Sequence, residues 1–142
     1  MRRRAARLLE EAFLPAVRAL LVTALVVHAD ETFTRTAGAT RYLHVAATEH
    51  LSLRHTGDCS AAVIDAGQVL PYLSGVLVRD GYAGYTHLDN VLHAWCGAHL
   101  LRDLRGIHEA DPEGQLWARA MADTLLGAHR LAAIARQRAV TR

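Results

Sequence analysis

Thr23-Ala24-Leu25-Val26-Val27-His28-Ala29 is a short apolar run rich in β-branched side chains, followed at once by Asp30-Glu31-Thr32. It reads as a buried strand that ends at the acids. Upstream, Ala5, Leu8, Leu9, Ala12, Phe13, Ala16, Val17, Leu20 and Leu21 recur at the i, i+3, i+4 spacing of an amphipathic helix. Arg3, Arg7, Glu10, Glu11 and Arg18 fall mostly off that face. Pro15 removes a backbone donor and is expected to kink this helix or to start its second half. Arg2, Arg3 and Arg4 at its beginning fit a solvated helix end better than a DNA contact. Downstream, Thr36-Ala37-Gly38-Ala39-Thr40 is small and polar, as a hairpin turn is. Arg41 to Ala47 and Leu51 to His55 read as two further strands, divided by Thr48-Glu49-His50.

Helical spacing through Ala62, Val63, Ala66 and Val69 marks a helix within Cys59 to Gln68. A fourth strand is expected at Gly75 to Arg79 and ends, like the first, on an acid, Asp80. Gly81-Tyr82-Ala83-Gly84-Tyr85 then turns into a short helix or loop, and Val91 to Trp95 reads as a fifth strand. Two helices complete the reading, about Gly97 to Glu109 and Glu113 to Arg136, separated by Asp111-Pro112. Strands joined by tight turns favour antiparallel pairing, and strands separated by helices favour parallel crossovers. An α/β fold with a mixed five-stranded sheet of the ribonuclease H type, flanked by helices and preceded by an amphipathic helix, satisfies both. The organisation expected is a helix over residues 1–22 and one domain over residues 23–142, without internal repeats or low-complexity tracts.

Composition narrows the function classes. A chain of 142 residues with 51% hydrophobic and 21% charged residues folds into a globular core rather than staying disordered. The net charge of +2 permits nucleic-acid binding without implying it. All 16 basic side chains are Arg, a pattern that GC-rich base composition explains better than phosphate binding does. Cys59 and Cys96 lack the spacing of a disulfide scaffold, so a reduced, cytoplasmic protein is expected. Arg18 and His28 bracket the longest apolar run and leave it short of the roughly 20 residues a membrane span needs. Val27-His28-Ala29 looks like a leader cleavage site, but Glu10, Glu11 and Pro15 do not belong in a short basic leader.

Asp30 and Asp80 are the centre of the functional reading. In a sheet of this order the ends of the first and fourth strands lie side by side, and two carboxylates there repel unless a cation lies between them. Hard oxygen donors suit Mg²⁺ or Mn²⁺, and in two-metal sites the ions stand about 3.5–4 Å apart. Spacing alone leaves this reading level with a plainer one, in which both acids cap ordinary strand ends.

Three ordered blocks carry a family resemblance. His28-Ala29-Asp30-Glu31-Thr32, with Tyr42-Leu43-His44-Val45-Ala46-Ala47-Thr48, resembles the opening of the catalytic domain of insertion-sequence 66 family transposases. Leu70 to Tyr82, which includes Val78-Arg79-Asp80-Gly81-Tyr82, is similar to the segment holding that family's second acid. Cys96-Gly97-Ala98-His99-Leu100-Leu101-Arg102 is similar to its Cys-x-Ala-His-x-x-Arg motif. The resemblance implies a ribonuclease H-like fold and DDE chemistry, with Asp30 and Asp80 as catalytic residues and ligands of Mg²⁺ or Mn²⁺. It implies DNA, the ends of an insertion sequence, as the partner and substrate. His99 and Arg102 would support the site or reach DNA phosphate. Association with itself or with an intact transposase is the further partner expected.

The sequence departs from the family pattern in places. The zinc-binding and DNA-recognition region expected ahead of these blocks is missing, and His55-Thr56-Gly57-Asp58-Cys59 follows its pattern only loosely. The third acid is expected on a later helix, in a segment like Asn-x-x-Glu-Arg, and none occurs before Arg142. The expectation is therefore a truncated fragment, inactive alone, with a non-catalytic DNA-associating or transposase-interfering module as the alternative. Glu109 and Glu113 follow Asp80 at spacings that some DDE sites use. Glu109, however, lies roughly 18 Å along a helix that starts near Gly97, and Glu113 belongs to the next helix. Glu31, one residue along a strand from Asp30, is expected to face the other side of the sheet.

Two other groupings have plainer readings. His93, Cys96 and His99 form a His-x-x-Cys-x-x-His run, yet a structural zinc site takes four ligands, usually as two separated pairs. Tyr82, Tyr85 and Trp95 could stack on DNA bases, and aromatic residues beside a sheet are more often core.

Overall fold

A computed structural model describes residues 2–140, less the side chains of Arg2, Arg3 and Val140. The side-chain roles weighed for Arg2 and Arg3 thus lie outside the described residues, and Arg4 is exposed. The chain divides into two compact units, Met1–Ala94 and Trp95–Arg142.

The first unit opens with a helix in three parts. Helix α1 spans Arg2–Leu8, a π-helical stretch spans Leu9–Phe13, and α2 spans Leu14–Val22. Pro15 explains the break. It has no N–H to give and its ring crowds the preceding turn, so the backbone widens there, with Leu14 N–H bonding to Leu9 O. Pro15 then stands in the first turn of α2, where a missing donor costs nothing. Only the second half of the expected apolar face is covered. Val17 and Leu21 are buried, whereas Leu8, Leu9, Phe13 and Leu20 remain more than half exposed.

The sheet follows the order β3-β2-β1-β4-β5, with β1 at Val26–Thr36, β2 at Ala39–Ala47, β3 at Ser52–Gly57, β4 at Val76–Arg79 and β5 at Leu92–Trp95. Strands β1, β2 and β3 pair antiparallel in succession, and β4 pairs parallel with β1. This is the mixed, ribonuclease H-like arrangement expected from the order of elements. The first strand corrects the sequence reading. It does not stop at Asp30 but runs on to Thr36, because β2 supplies a partner along the whole length, from His28↔Ala47 to Thr36↔Ala39. Ala37 and Gly38, at φ 51° and 78°, close the hairpin.

Alternation along β1 buries Val27 and Ala29 and leaves Val26, His28 and Asp30 exposed. Val27 and Ala29 face a core shared with Val17 and Leu21 of α2, Leu53, Leu77 and Ile64. Ile64 comes from α3, Ala61–Ala66, whose N-cap Ser60 accepts from Val63 N–H. Two 3₁₀ turns, Leu70–Tyr72 and Ala83–Tyr85, flank β4 and contribute the fully buried Tyr85. One buried histidine interrupts this apolar core. His44 Nε2 lies 2.8 Å from the Asp58 carbonyl, and its ring stacks on that of His55 at 5.1 Å. His55 reaches the Val63 carbonyl at 2.7 Å, so the two rings tie β2 and β3 to the loop and helix that follow.

The second unit contains α4, Gly97–Ala110, and α5, Leu116–Val140. The break at Asp111-Pro112 is closed by Asp111 Oδ1, which accepts from Gly114 N–H at 3.0 Å.

Candidate active site at a parallel strand junction

Pairing between β1 and β4 ends at His28↔Val78. Continuing that register two residues further sets Asp30 against Asp80, just past the last paired residues. Beyond this point β1 continues with β2 alone, and Asp80 begins a turn. The two acids therefore flank the fork where the parallel pair opens.

Backbone donors orient both carboxylates. Asp30 Oδ1 accepts from Glu31 N–H at 2.9 Å, a donor that a longer β4 would otherwise engage. Asp80 Oδ1 accepts from Tyr82 N–H at 2.9 Å. In each case Oδ2 remains outside these bonds. Carboxylate oxygens are hard donors of the kind divalent cations such as Mg²⁺ and Mn²⁺ take. No cluster of three His, Cys, Asp or Glu side chains suited to one ion occurs among the described residues.

Glu31 turns away from the fork, as alternation along a strand requires. It is half-buried and accepts a hydrogen bond from the Tyr85 hydroxyl. Burial raises the Glu31 carboxyl above its ordinary value; the bond from Tyr85 opposes this, and the nearby charges of Asp80 and Asp30 add to the rise. Burial, and then the bond to Glu31, push the Tyr85 hydroxyl strongly upward. Tyr85 is thus a neutral donor that braces β1 next to Asp30 to the segment following Asp80. Its ring meets Tyr82 edge-on at 5.9 Å, and the Tyr82 hydroxyl donates to the Cys59 carbonyl. These two tyrosines are framework rather than an open stacking surface. Trp95, by contrast, is 60% exposed.

On β4, Arg79 donates through Nε to His93 Nδ1 at 3.1 Å. His93 Nε2 lies 3.0 Å from the Leu88 carbonyl. Both ring nitrogens of His93 are therefore engaged, which takes it out of the His-x-x-Cys-x-x-His run as a metal ligand. In the second unit, Cys96 is the N-cap residue of α4. Burial pushes its thiol up, but the neighbouring His99 side chain and the nearby N–H groups of His99 and Ala98 outweigh this and bring it down. Arg102 is exposed, with Nε 3.9 Å from Asp103 Oδ1. Of the residues singled out in the sequence, the strand register sets Asp30 against Asp80, and Tyr85 meets both Glu31 and Tyr82; His99 and Arg102 have these partners within the second unit. Sequence reasoning weighed His93 and Tyr85 for other roles and missed their bonds, with that of Arg79, because these link residues far apart in the chain.

The model of the Transposase IS66 family matches this chain over residues 1–142. The chain belongs to that family. No protein of curated function matches it. Among solved structures, the chain is similar to one in the cryo-EM structure of a simian T-cell lymphotropic virus intasome in complex with PP2A regulatory subunit B56 gamma. The likeness has a TM-score of 0.41 at 14% identity and covers 83% of this chain. This IS66-family chain spans about half the length of that neighbour, 54%. None of its described helices is long and apolar enough to cross a membrane.

Proposed function

We propose that this IS66-family chain carries the first two acids of a DDE site for DNA cleavage and strand transfer at the ends of an insertion sequence. The observation that carries the proposal is the alignment of Asp30 with Asp80 at the fork between β1 and β4. Their Oδ2 atoms would hold Mg²⁺ or Mn²⁺. A bound ion of this type supplies charge neutralisation at the phosphodiester and activation of the attacking oxygen. The protein's own part is positioning: strand pairing and the bonds to Glu31 N–H and Tyr82 N–H set the two carboxylates before substrate arrives. The work would be cytoplasmic, with DNA as partner.

Among the described residues of their own unit no third carboxylate joins the pair, since Glu31 faces the opposite side of the sheet. That favours weak metal binding and no transposition by this chain alone. It also keeps a second reading, a module that associates with DNA or with an intact transposase without catalysis.

The test is a Mn²⁺ titration of the full chain followed by amide NMR. Amides of Glu31 and Gly81 should broaden first, and this selectivity should vanish in Asp30→Asn and Asp80→Asn. Broadening that is uniform, or unchanged in both variants, defeats the metal-site reading.

A further inference from the structure

We propose that Arg79 and His93 form a positioning pair that fixes the Asp80 carboxylate for its metal, an inference that rests on the reading of Asp80 as a ligand. Asp80 lies just outside β4 and is followed by Gly81, the residue type that holds its backbone least firmly. Left to strand pairing alone, the Asp80–Tyr82 turn would have little to define it. Arg79 provides the definition. Its Nη1 donates to the Asp80 carbonyl at 2.9 Å and to the Tyr82 carbonyl at 3.3 Å, closing over the same turn that Asp80 Oδ1 closes from the other side through Tyr82 N–H. The guanidinium thus grips the main chain at both ends of the turn.

His93 keeps the guanidinium in place. A carbonyl oxygen cannot donate, so the contact with Leu88 O puts the hydrogen on His93 Nε2 and leaves Nδ1 to accept from Arg79 Nε–H. This fixes the tautomer and links β5 to the Asp80 turn through one planar group. Lysine cannot replace it. A single ammonium on a flexible stem lacks the rigid fork that spans His93 and two carbonyls at once. Residues that orient metal ligands commonly matter almost as much as the ligands.

Two near-isosteric substitutions separate the bonds of His93. His93→Asn keeps an acceptor where Nδ1 stood and loses the bond to Leu88, whereas His93→Gln keeps a donor where Nε2 stood and loses the bond from Arg79. The full-length chain would be titrated with Mn²⁺, recording the concentration that halves the Gly81 amide signal, alongside the melting temperature of each variant. Arg79→Lys and His93→Gln should raise that concentration about tenfold or more. His93→Asn should stay near the parent, with both His93 variants melting alike. A parental titration in His93→Gln, or equal losses in His93→Asn and His93→Gln, overturns the pair. If Arg79→Lys does not fold, the two His93 variants still decide. Asp80→Asn separates the two claims: its loss of selective broadening upholds the metal site whatever the pair does, and its failure to lose it removes the site itself.

Discussion

Glu31 and Asp30 are neighbours in sequence with opposite fates, one half-buried beneath the sheet and one exposed at the fork. The buried carboxylate is satisfied by Tyr85, so removing that hydroxyl strands an acceptor. Tyr85→Phe should lower stability by about 1–3 kcal/mol, read as a lower urea midpoint. The same change in a Glu31→Gln background should cost less, and an equal cost in both would show that the hydroxyl was not serving Glu31. His87 offers a pH-dependent counterpart. Its Nε2 is 2.8 Å from Asp65 Oδ1 and its Nδ1 is 2.8 Å from Gly84 O, two acceptors that together call for the doubly protonated ring. The bond to Asp65 raises the ring above its ordinary 6.5, with the Gly84 bond assisting against burial. A raised value means stabilisation that is full below 6.5 and fades as pH climbs through the folded-state value. Urea midpoints from about pH 5.5 to 8.5 should therefore fall more steeply in the parent than in His87→Gln; parallel profiles would rule out the clamp. At this scale the two aspartates, whose role is proposed above, were legible as candidates through the family resemblance, since spacing alone left them level with ordinary strand-end caps. Arg79, Tyr85 and His93 were not, since their partners are set by topology and lie 14 to 54 residues away.

The number and type of elements followed from periodicity, and the misreadings have identifiable physical origins. The first strand was read as ending at Asp30 because its apolar pattern ends there, yet backbone pairing with β2 is indifferent to side-chain polarity and carries it to Thr36. The apolar stripe of the first helix reads as one buried face, but packing against the core reaches back only to Leu14, upstream of which the π-helical stretch changes the register of the face. The hairpin turn was anticipated from its small residues, and its geometry suggests an improvement. Ala37 holds φ 51°, a left-handed conformation that is costly for alanine and well tolerated by asparagine. Ala37→Asn should stabilise the chain by up to about 1 kcal/mol in thermal unfolding, and a lower melting temperature would mean the turn is not of that type. Gly75 presents the opposite case. A Cβ there would meet the Leu25 and Ala24 carbonyl oxygens at 2.6 and 2.7 Å, just where Val76 N–H bonds to Leu25 O. Gly75→Ala should cost about 1–3 kcal/mol by forcing β4 away from the start of β1, and an unchanged denaturation midpoint would contradict so close an approach.

For the whole molecule, three consecutive strands followed by strands separated by helices dictated the sheet order, whereas the division near residue 94 carries no mark in composition. That division matters for stability because the buried residues are unevenly shared. The continuous core draws on side chains from Val17 to Leu88, with Leu21, Val27, Leu73 and Leu77 fully buried. In the second unit, Leu104 and Ala118 are the buried apolar residues, and from residue 128 to 139 every side chain except Ala133 is exposed. A long alanine-rich helix has good intrinsic propensity, but most helical stability in proteins comes from a packed face. Opening of the last turns of α5 should therefore require far less free energy than opening β1 or β4. Native-state hydrogen exchange on the intact chain should find the amides of Val27 and Leu77 exchanging only through global unfolding, while those beyond residue 128 exchange earlier. Equal protection along α5 would mean that its exposed face, with Leu131 and Ile134, is covered by another molecule in solution, and exchange repeated at lower protein concentration would then report a self-association that loosens on dilution.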